Sequence, residues 1–230
     1  MPIALNNVTK KFGERTVFSG LDLTFKEGKI NCILGPSGCS KTTVLNVLAG
    51  LTDYEGQALR PEKVAYIFQN SRLLPNLTVW ENVEYVILDM PKPVRSMLVK
   101  SVLEQVELYD RRNDYPSSLS GGMARRVAMA RAYAYPAELL LMDEPFSALD
   151  LGLKLRQMRV YNELAAKYPR TSVFVTHDID EALLFADHIT VLKQGGVVEA
   201  TFDIDAPREG RDMFSPDLVA LKEKLYTLLK

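Results

Sequence analysis

Apolar positions fall into short runs separated by glycine and proline breaks, and the spacing inside each run predicts its element. Ile3 to Val8 and Val17 to Phe25 alternate loosely and Lys29 to Leu34 is a tighter apolar run, so three early strands are predicted. Lys41 to Ala49 reads as a helix ending at Gly50, and Val64 to Phe68 as a short strand. From Thr78 to about Val106 the spacing turns helical, broken by Pro91 and Pro93. A further helix begins near Gly122 with Met123, Val127, Ala130 and Ala134 along one side. The middle third is therefore predicted as a helical insert. Glu138 to Met142 returns to strand. Asp150 to Tyr168 is an amphipathic helix with Leu151, Leu155, Met158, Tyr161 and Ala165 expected inward, and Thr171 to Thr176 is another strand. Ile189 to Leu192 and Val197 to Glu199, on either side of Gly195-Gly196, predict a closing hairpin, and Leu218 to Leu229 a terminal amphipathic helix. That alternation predicts a parallel α/β architecture.

Composition narrows the function without naming it. With 47% hydrophobic and 25% charged residues, the 230-residue chain has the balance of a globular protein with one core or a core with a subdomain. Its 28 basic residues against 29 acidic ones show no global basic excess, so nucleic acid is not an expected partner. The two cysteines, Cys32 and Cys39, occupy a predicted buried strand and the loop after it, which suits a reducing compartment such as the cytosol. The opening MPIALNNVTKKF lacks a basic segment followed by an apolar stretch of signal-peptide length, and no apolar run approaches the ~18 residues needed to cross a bilayer. The chain is expected neither to span nor to leave the membrane by itself, while docking onto a membrane protein stays open.

Candidate chemistry begins at Gly35-Pro36-Ser37-Gly38-Cys39-Ser40-Lys41-Thr42-Thr43, between the apolar run Ile30 to Leu34 and the predicted helix. A glycine-rich turn there aims backbone N–H groups and the positive end of a helix dipole at one point, a geometry that binds phosphate. Lys41 is placed to reach terminal phosphates and the Thr42 hydroxyl to ligate Mg²⁺. Ser40 stands where the phosphate-loop pattern has glycine. If the backbone requires a positive φ there, serine costs about 1–2 kcal/mol.

Leu139 to Pro145 puts Asp143 and Glu144 at the end of an apolar strand, where ligands bind in open α/β sheets. Adjacent residues on an extended chain point in different directions, so Asp143 can hold Mg²⁺ while Glu144 polarises an attacking water. The bland alternative is a solvated acidic turn. Leu119-Ser120-Gly121-Gly122-Met123 opens a helix with Ser120 as cap and the glycine N–H groups open, which is either a second anion site or an ordinary capped start.

Taken together these residues resemble the nucleotide-binding subunit of an ATP-binding-cassette (ABC) transporter, over nearly the whole chain. Gly35 to Thr43 is similar to the Walker A loop, Gln69 to the Q-loop glutamine, Leu119 to Met123 to the signature, and Leu139 to Glu144 to Walker B. Ser147-Ala148-Leu149-Asp150 resembles the D-loop, and His177 the switch histidine. The LSGGM form and MDEPFSALD resemble importers of the nitrate, sulfonate and taurine group, which also includes carriers of vitamin precursors.

The resemblance implies a P-loop NTPase core with an N-terminal antiparallel β subdomain and an inserted α-helical subdomain. It implies one ABC ATPase domain over residues 1–230, with the nucleotide-binding core and β subdomain in 1–71 and 137–200, the helical signature subdomain in 72–136, and a C-terminal extension in 201–230. ATP and Mg²⁺ are the implied cofactors. Gly35, Pro36, Ser37, Gly38, Cys39, Ser40, Lys41, Thr42 and Thr43 would hold the phosphates of one nucleotide. Ser120, Gly121 and Gly122 of a second copy, identical or a sibling, would close over its γ-phosphate. Lys41, Glu144, His177 and Gln69 are the implied catalytic residues, Thr42, Gln69 and Asp143 the Mg²⁺ ligands. Phe12 is placed to stack on adenine, core packing being the alternative. Leu73 to Met90, with Trp80, is implied to receive a coupling helix from separate membrane subunits, although Trp80 reads equally as core.

That picture is of a peripheral ATPase on the cytoplasmic face of the inner membrane, driving solute import with permease subunits and a solute-binding protein. Met123, Ala124 and Tyr133 depart from the usual signature helix without removing a catalytic group. The loop and dipole around Cys39 are expected to lower its thiol pKa and to make its alkylation sensitive to ATP, against the alternative of an inert filler. Two rivals stay open: a regulatory module in which Ser40 impairs hydrolysis, and a non-transport ABC ATPase.

Overall fold

The computed structural model describes residues 2–147 and 149–230. Contacts divide them into two compact units: one from the start of the described chain to Val64 with Glu138–Pro145 and Arg170–Lys230, the other Ala65–Ala137 with Phe146–Pro169.

The first unit holds two sheets. β1 (Ile3–Phe12) pairs antiparallel with β2 (Arg15–Phe25) and with β4 (Glu55–Leu59), in the order β2-β1-β4. The second sheet runs β6 (Leu139–Asp143), β7 (Thr171–Thr176), β3 (Ile30–Leu34), β8 (His188–Lys193), β9 (Val197–Asp203); the first four are parallel and β9 returns antiparallel on β8. Every residue of β3, β6 and β7 is buried, as strands covered on both faces require. Among their polar residues is Asn31 in β3, and its amide is fully engaged. Its Nδ2 donates to the carbonyls of Lys26, Lys29 and Ser172, while its Oδ1 accepts from Lys26 N at 2.8 Å.

Helix α1 (Lys41–Ala49) follows β3 and ends, as expected, at Gly50, whose φ of 70° is the left-handed cap glycine permits. The pattern along the chain does not announce β4, because its polar residues leave only Ala58 and Leu59 partly covered. Its Gly56 is demanded by proximity: a Cβ there would meet Asn7 O at 2.3 Å. The seven-residue helix α6 (Ile179–Phe185) also escapes the sequence pattern, being too short for periodicity to register.

Strand β5 (Val64–Ile67) begins on the last residue of the first unit's opening stretch, and from Ala65 the second unit is otherwise helical: α2 (Val79–Glu84), α3 (Lys92–Gln105), α4 (Gly121–Ala134) and α5 (Leu151–Lys167). Thr78 and Glu81 form a capping box, Thr78 N donating to Glu81 Oε2 at 2.7 Å and Glu81 N to Thr78 Oγ1 at 3.2 Å. Pro93 lies in the first turn of α3, where a missing N–H costs nothing, so the two prolines divide the helical stretch where expected.

One expectation fails in α5. Leu151 and Leu155 are 68% and 45% exposed, whereas Gln157, Met158, Val160, Tyr161 and Leu164 are buried. The buried stripe at 157, 160, 161 and 164 keeps helical spacing but starts from a glutamine, which polarity alone assigns outward. The ring of Tyr161 packs edge-on against Phe146 at 5.6 Å and helps fix that phase. Among the described residues no helix is long and apolar enough to cross a membrane.

Candidate functional site

The phosphate loop leaves β3 at Gly35, whose backbone is pressed against the sheet. A Cβ there would meet Leu192 O at 2.2 Å and Cys39 Sγ at 2.7 Å, so only glycine fits. Gly38 turns at φ +81°. Ser40 also turns left-handed, at φ 79° and ψ 20°, without a side-chain hydrogen bond to cap α1. The missing glycine thus falls on a position whose backbone favours glycine. Lys41 is 5% exposed, and its Nζ donates to Gly35 O at 2.7 Å and Pro36 O at 2.9 Å, so the ammonium is bound back onto the loop.

Thr42, on the first turn of α1, donates its hydroxyl to Asp143 Oδ1 at 3.0 Å, joining the helix to the end of β6. Glu144 follows with φ 45°, a left-handed turn for a non-glycine residue, held by its N–H donating to Val175 O at 3.1 Å. Such strain is found where the surroundings over-determine a side chain's direction. Here it aims Glu144 Oε1 to within 3.1 Å of His177 Nδ1, just beyond β7. Lys41, Thr42, Asp143, Glu144 and His177 therefore meet around the C-terminal ends of adjacent strands β3, β6 and β7.

Cys39 departs from expectation. Its side chain is wholly buried and desolvation pushes the thiol pKa up, outweighing nearby Lys41, which acts in the opposite direction. A loop and a helix terminus lower a thiol pKa only when the thiolate stays solvated, and this one faces inward. Phe12 is 57% exposed with Lys10 Nζ 4.4 Å from its ring centroid, so it is a surface aromatic and not core packing.

Gln69, Ser120, Gly121 and Gly122 belong to the second unit. Ser120 caps α4, accepting from Met123 N at 3.3 Å. A Cβ at Gly121 would meet nothing within 4 Å and one at Gly122 only Leu153 Cδ2 at 3.7 Å. Packing within the chain does not demand these glycines, which leaves the helix start open to an outside group. Tyr133 is core, and Trp80 is half-buried. Of the D-loop residues, Ala148 lies outside the described ones, while Asp150 caps α5 by accepting from Leu153 N at 3.0 Å.

Two arginines on α4 lie outside every motif along the chain. Arg125 donates to Ser147 O at 3.1 Å and Gln69 O at 3.4 Å, and Arg131 to Ser71 O and Arg72 O, both at 3.1 Å. The chain just after Gln69 is thus held by its carbonyls to the helix that Ser120 begins. Cations on a helix otherwise made of small and apolar residues were the available signal.

The donor set suits a nucleotide with a hard cation. One carboxylate and one hydroxyl, with no cluster of three or more potential metal ligands among the described residues, match Mg²⁺, which is bound through one or two carboxylates plus phosphate oxygens.

Residues 18–147 match the family model described as ABC transporter. The chain belongs to the ABC transporter family. It is 42% identical over 212 residues, 91% of this chain and 88% of the other, to the aliphatic sulfonates import ATP-binding protein SsuB of Granulibacter bethesdensis. It is also 38% identical over 229 residues, 99% of this chain and 84% of the other, to SsuB 2 of Pseudomonas savastanoi pv. phaseolicola. Its fold matches the dimeric post-hydrolysis structure of the ATP-binding cassette MJ0796 bound to ADP and Pi, with TM-score 0.75 and 32% identity over 89% of this chain and all of that one. The expected ABC fold, the ATPase class and the likeness to the sulfonate-importer group are thereby borne out. Neither rival, regulatory module or non-transport ATPase, gains support.

Proposed function

We propose that this chain is the ATP-hydrolysing subunit of an ABC importer for aliphatic sulfonates, the cargo class named for its relatives. The observation that carries the catalytic reading is the Glu144–His177 contact beside the Thr42–Asp143 pair. Glu144 is the group that orients and deprotonates the attacking water, with His177 holding the carboxylate and meeting the γ-phosphate. Lys41 exchanges its loop carbonyls for the β- and γ-phosphates, a trade of neutral acceptors for charged ones that strengthens each bond. Thr42 and Asp143 would hold Mg²⁺, with Gln69 as the further ligand that the family resemblance implies, and the cation would supply charge neutralisation for phosphoryl transfer. Phe12 stacks on adenine.

Two copies, or this chain and a sibling, close head to tail so that Ser120, Gly121 and Gly122 of each cover the other's γ-phosphate. Residues 72–136 form the helical subdomain that takes the coupling helices of separate permease subunits, 1–71 and 137–200 the nucleotide-binding core. The assembly is peripheral on the cytoplasmic face of the membrane and receives its solute from a binding protein.

The test is Mg²⁺-dependent ATP hydrolysis by the purified chain. A general base contributes about 10²–10⁴-fold, so Glu144→Gln is expected to lower kcat by at least 10² with ATP binding retained. Turnover unchanged by Glu144→Gln would sink the assignment.

A further inference from the structure

His177 is half exposed, and its one described side-chain contact is Glu144. Its place is therefore set by the chain on either side, β7 before it and α6 after it. From within the core, α6 is fastened at its start. Asp178 caps it by accepting from Asp180 N and Glu181 N, and buried Glu181 accepts the Thr176 hydroxyl at 2.6 Å. Such a cap governs the first turn only.

Ala182, Leu183 and Phe185 bury the apolar face of the rest of α6, Phe185 packing on Phe174 at 5.2 Å, and its polar groups are gripped from a distant part of the sequence. Lys222, on α7 (Pro216–Leu229), reaches Asp180 Oδ1 at 2.5 Å in the first turn. Arg211 donates to Leu183 O at 2.6 Å and Ala186 O at 2.7 Å at the last turn, and also to Ala206 O at 2.6 Å. Arg208 reaches Asp187 Oδ2 at 2.5 Å one residue further on, and the same oxygen accepts from Ile30 N at the start of β3. Three cations from one short segment thus hold α6 at its beginning, its end and the exit towards β8. Arg211 is 9% exposed, so its guanidinium is committed to those carbonyls; a cation at a helix C-terminus also matches the dipole.

A helix of seven residues has almost no stability of its own, so its placement follows its fastenings. We propose that residues 208–222 hold the His177 imidazole against Glu144 through α6, with Lys222 and Arg211 as positioning residues for ATP hydrolysis. The link to turnover rests on the catalytic reading of Glu144 and His177; the link to position does not. Any bound partner or modification that lifts α7 from α6 would release the histidine and slow the enzyme without touching the nucleotide.

The chain has only two histidines, His177 and His188, so each imidazole Cε1–H resonance is assignable by NMR from the loss of one signal in His177→Ala. Lys222→Met is expected to shift or broaden the His177 signal at fixed pH, leave that of His188 in place, and lower kcat about 5–20-fold with KM for ATP within 2-fold. Lys222→Arg, which keeps the ion pair, restores both. Arg211→Lys provides a second probe at the opposite end of α6, and a melting curve separates misfolding, which moves both histidines. A His177 signal unmoved in both Lys222→Met and Arg211→Lys overturns the proposal. A moved signal with kcat unchanged in His177→Ala keeps the positioning and removes the catalytic role of His177 instead.

Discussion

Ser40 departs from the family's phosphate-loop pattern, and its backbone makes that departure measurable. The left-handed turn at φ 79° costs a non-glycine residue about 1–2 kcal/mol, while glycine gives back roughly 0.4–1 kcal/mol as extra freedom of the unfolded chain. Ser40→Gly is therefore expected to stabilise the protein by roughly 0.5–1 kcal/mol in urea denaturation, and Ser40→Val to destabilise it by more than that. A Ser40→Gly variant less stable than the parent would mean that serine makes a compensating bond in the loop. Residue chemistry made Lys41, Thr42, Asp143 and Glu144 candidates beforehand, while His177 entered only through the resemblance to the family. It did not reveal that Cys39 faces inward, since burial is a property of the neighbours and not of the loop's own composition.

At the scale of elements, the β8–β9 hairpin shows which glycines are constrained by packing. Gly195 and Gly196 both have positive φ, 77° and 79°. A Cβ at Gly196 would stand 2.3 Å from Phe18 Cβ on β2, whereas one at Gly195 meets nothing within 4 Å. Gly196→Ala must displace a buried aromatic and is expected to cost about 2 kcal/mol or more, with Gly195→Asn costing under about 1 kcal/mol because Asn tolerates the left-handed region. Thermal melts of the two variants check this, and equal losses would count against the contact with Phe18. Long periodic elements such as α1 and α4 could be read from spacing. The edge strand β4 could not, having little apolar content, and neither could the phase of α5, where Tyr161 packs on Phe146 and Gln157 is buried.

For the whole molecule, the open helix start at Gly121 raises the question of what it meets. Gly121 has room for a side chain within its own chain, so a bulky substitution there leaves the monomer fold intact and obstructs only an incoming copy. With ATP and Mg²⁺, Glu144→Gln is expected to run at twice the monomer mass by light scattering, because closure without hydrolysis traps the pair. Adding Gly121→Arg returns it to the monomer mass with an unchanged melting curve. A dimer that survives Gly121→Arg would require a different interface.

The sequence by itself determined the order and type of the long elements, the glycine-rich loop after β3, the acidic pair at the end of β6 and the family, since all of these are written in local periodicity and in residues whose chemistry has few substitutes. Only the tertiary structure decided that Ser40 takes a glycine's conformation, that Cys39 is shielded, that strain turns Glu144 onto His177, and that cations at 208, 211 and 222 hold the helix after His177. These depend on groups far apart in the chain, and no local pattern specifies which carbonyl or carboxylate a distant arginine or lysine will meet.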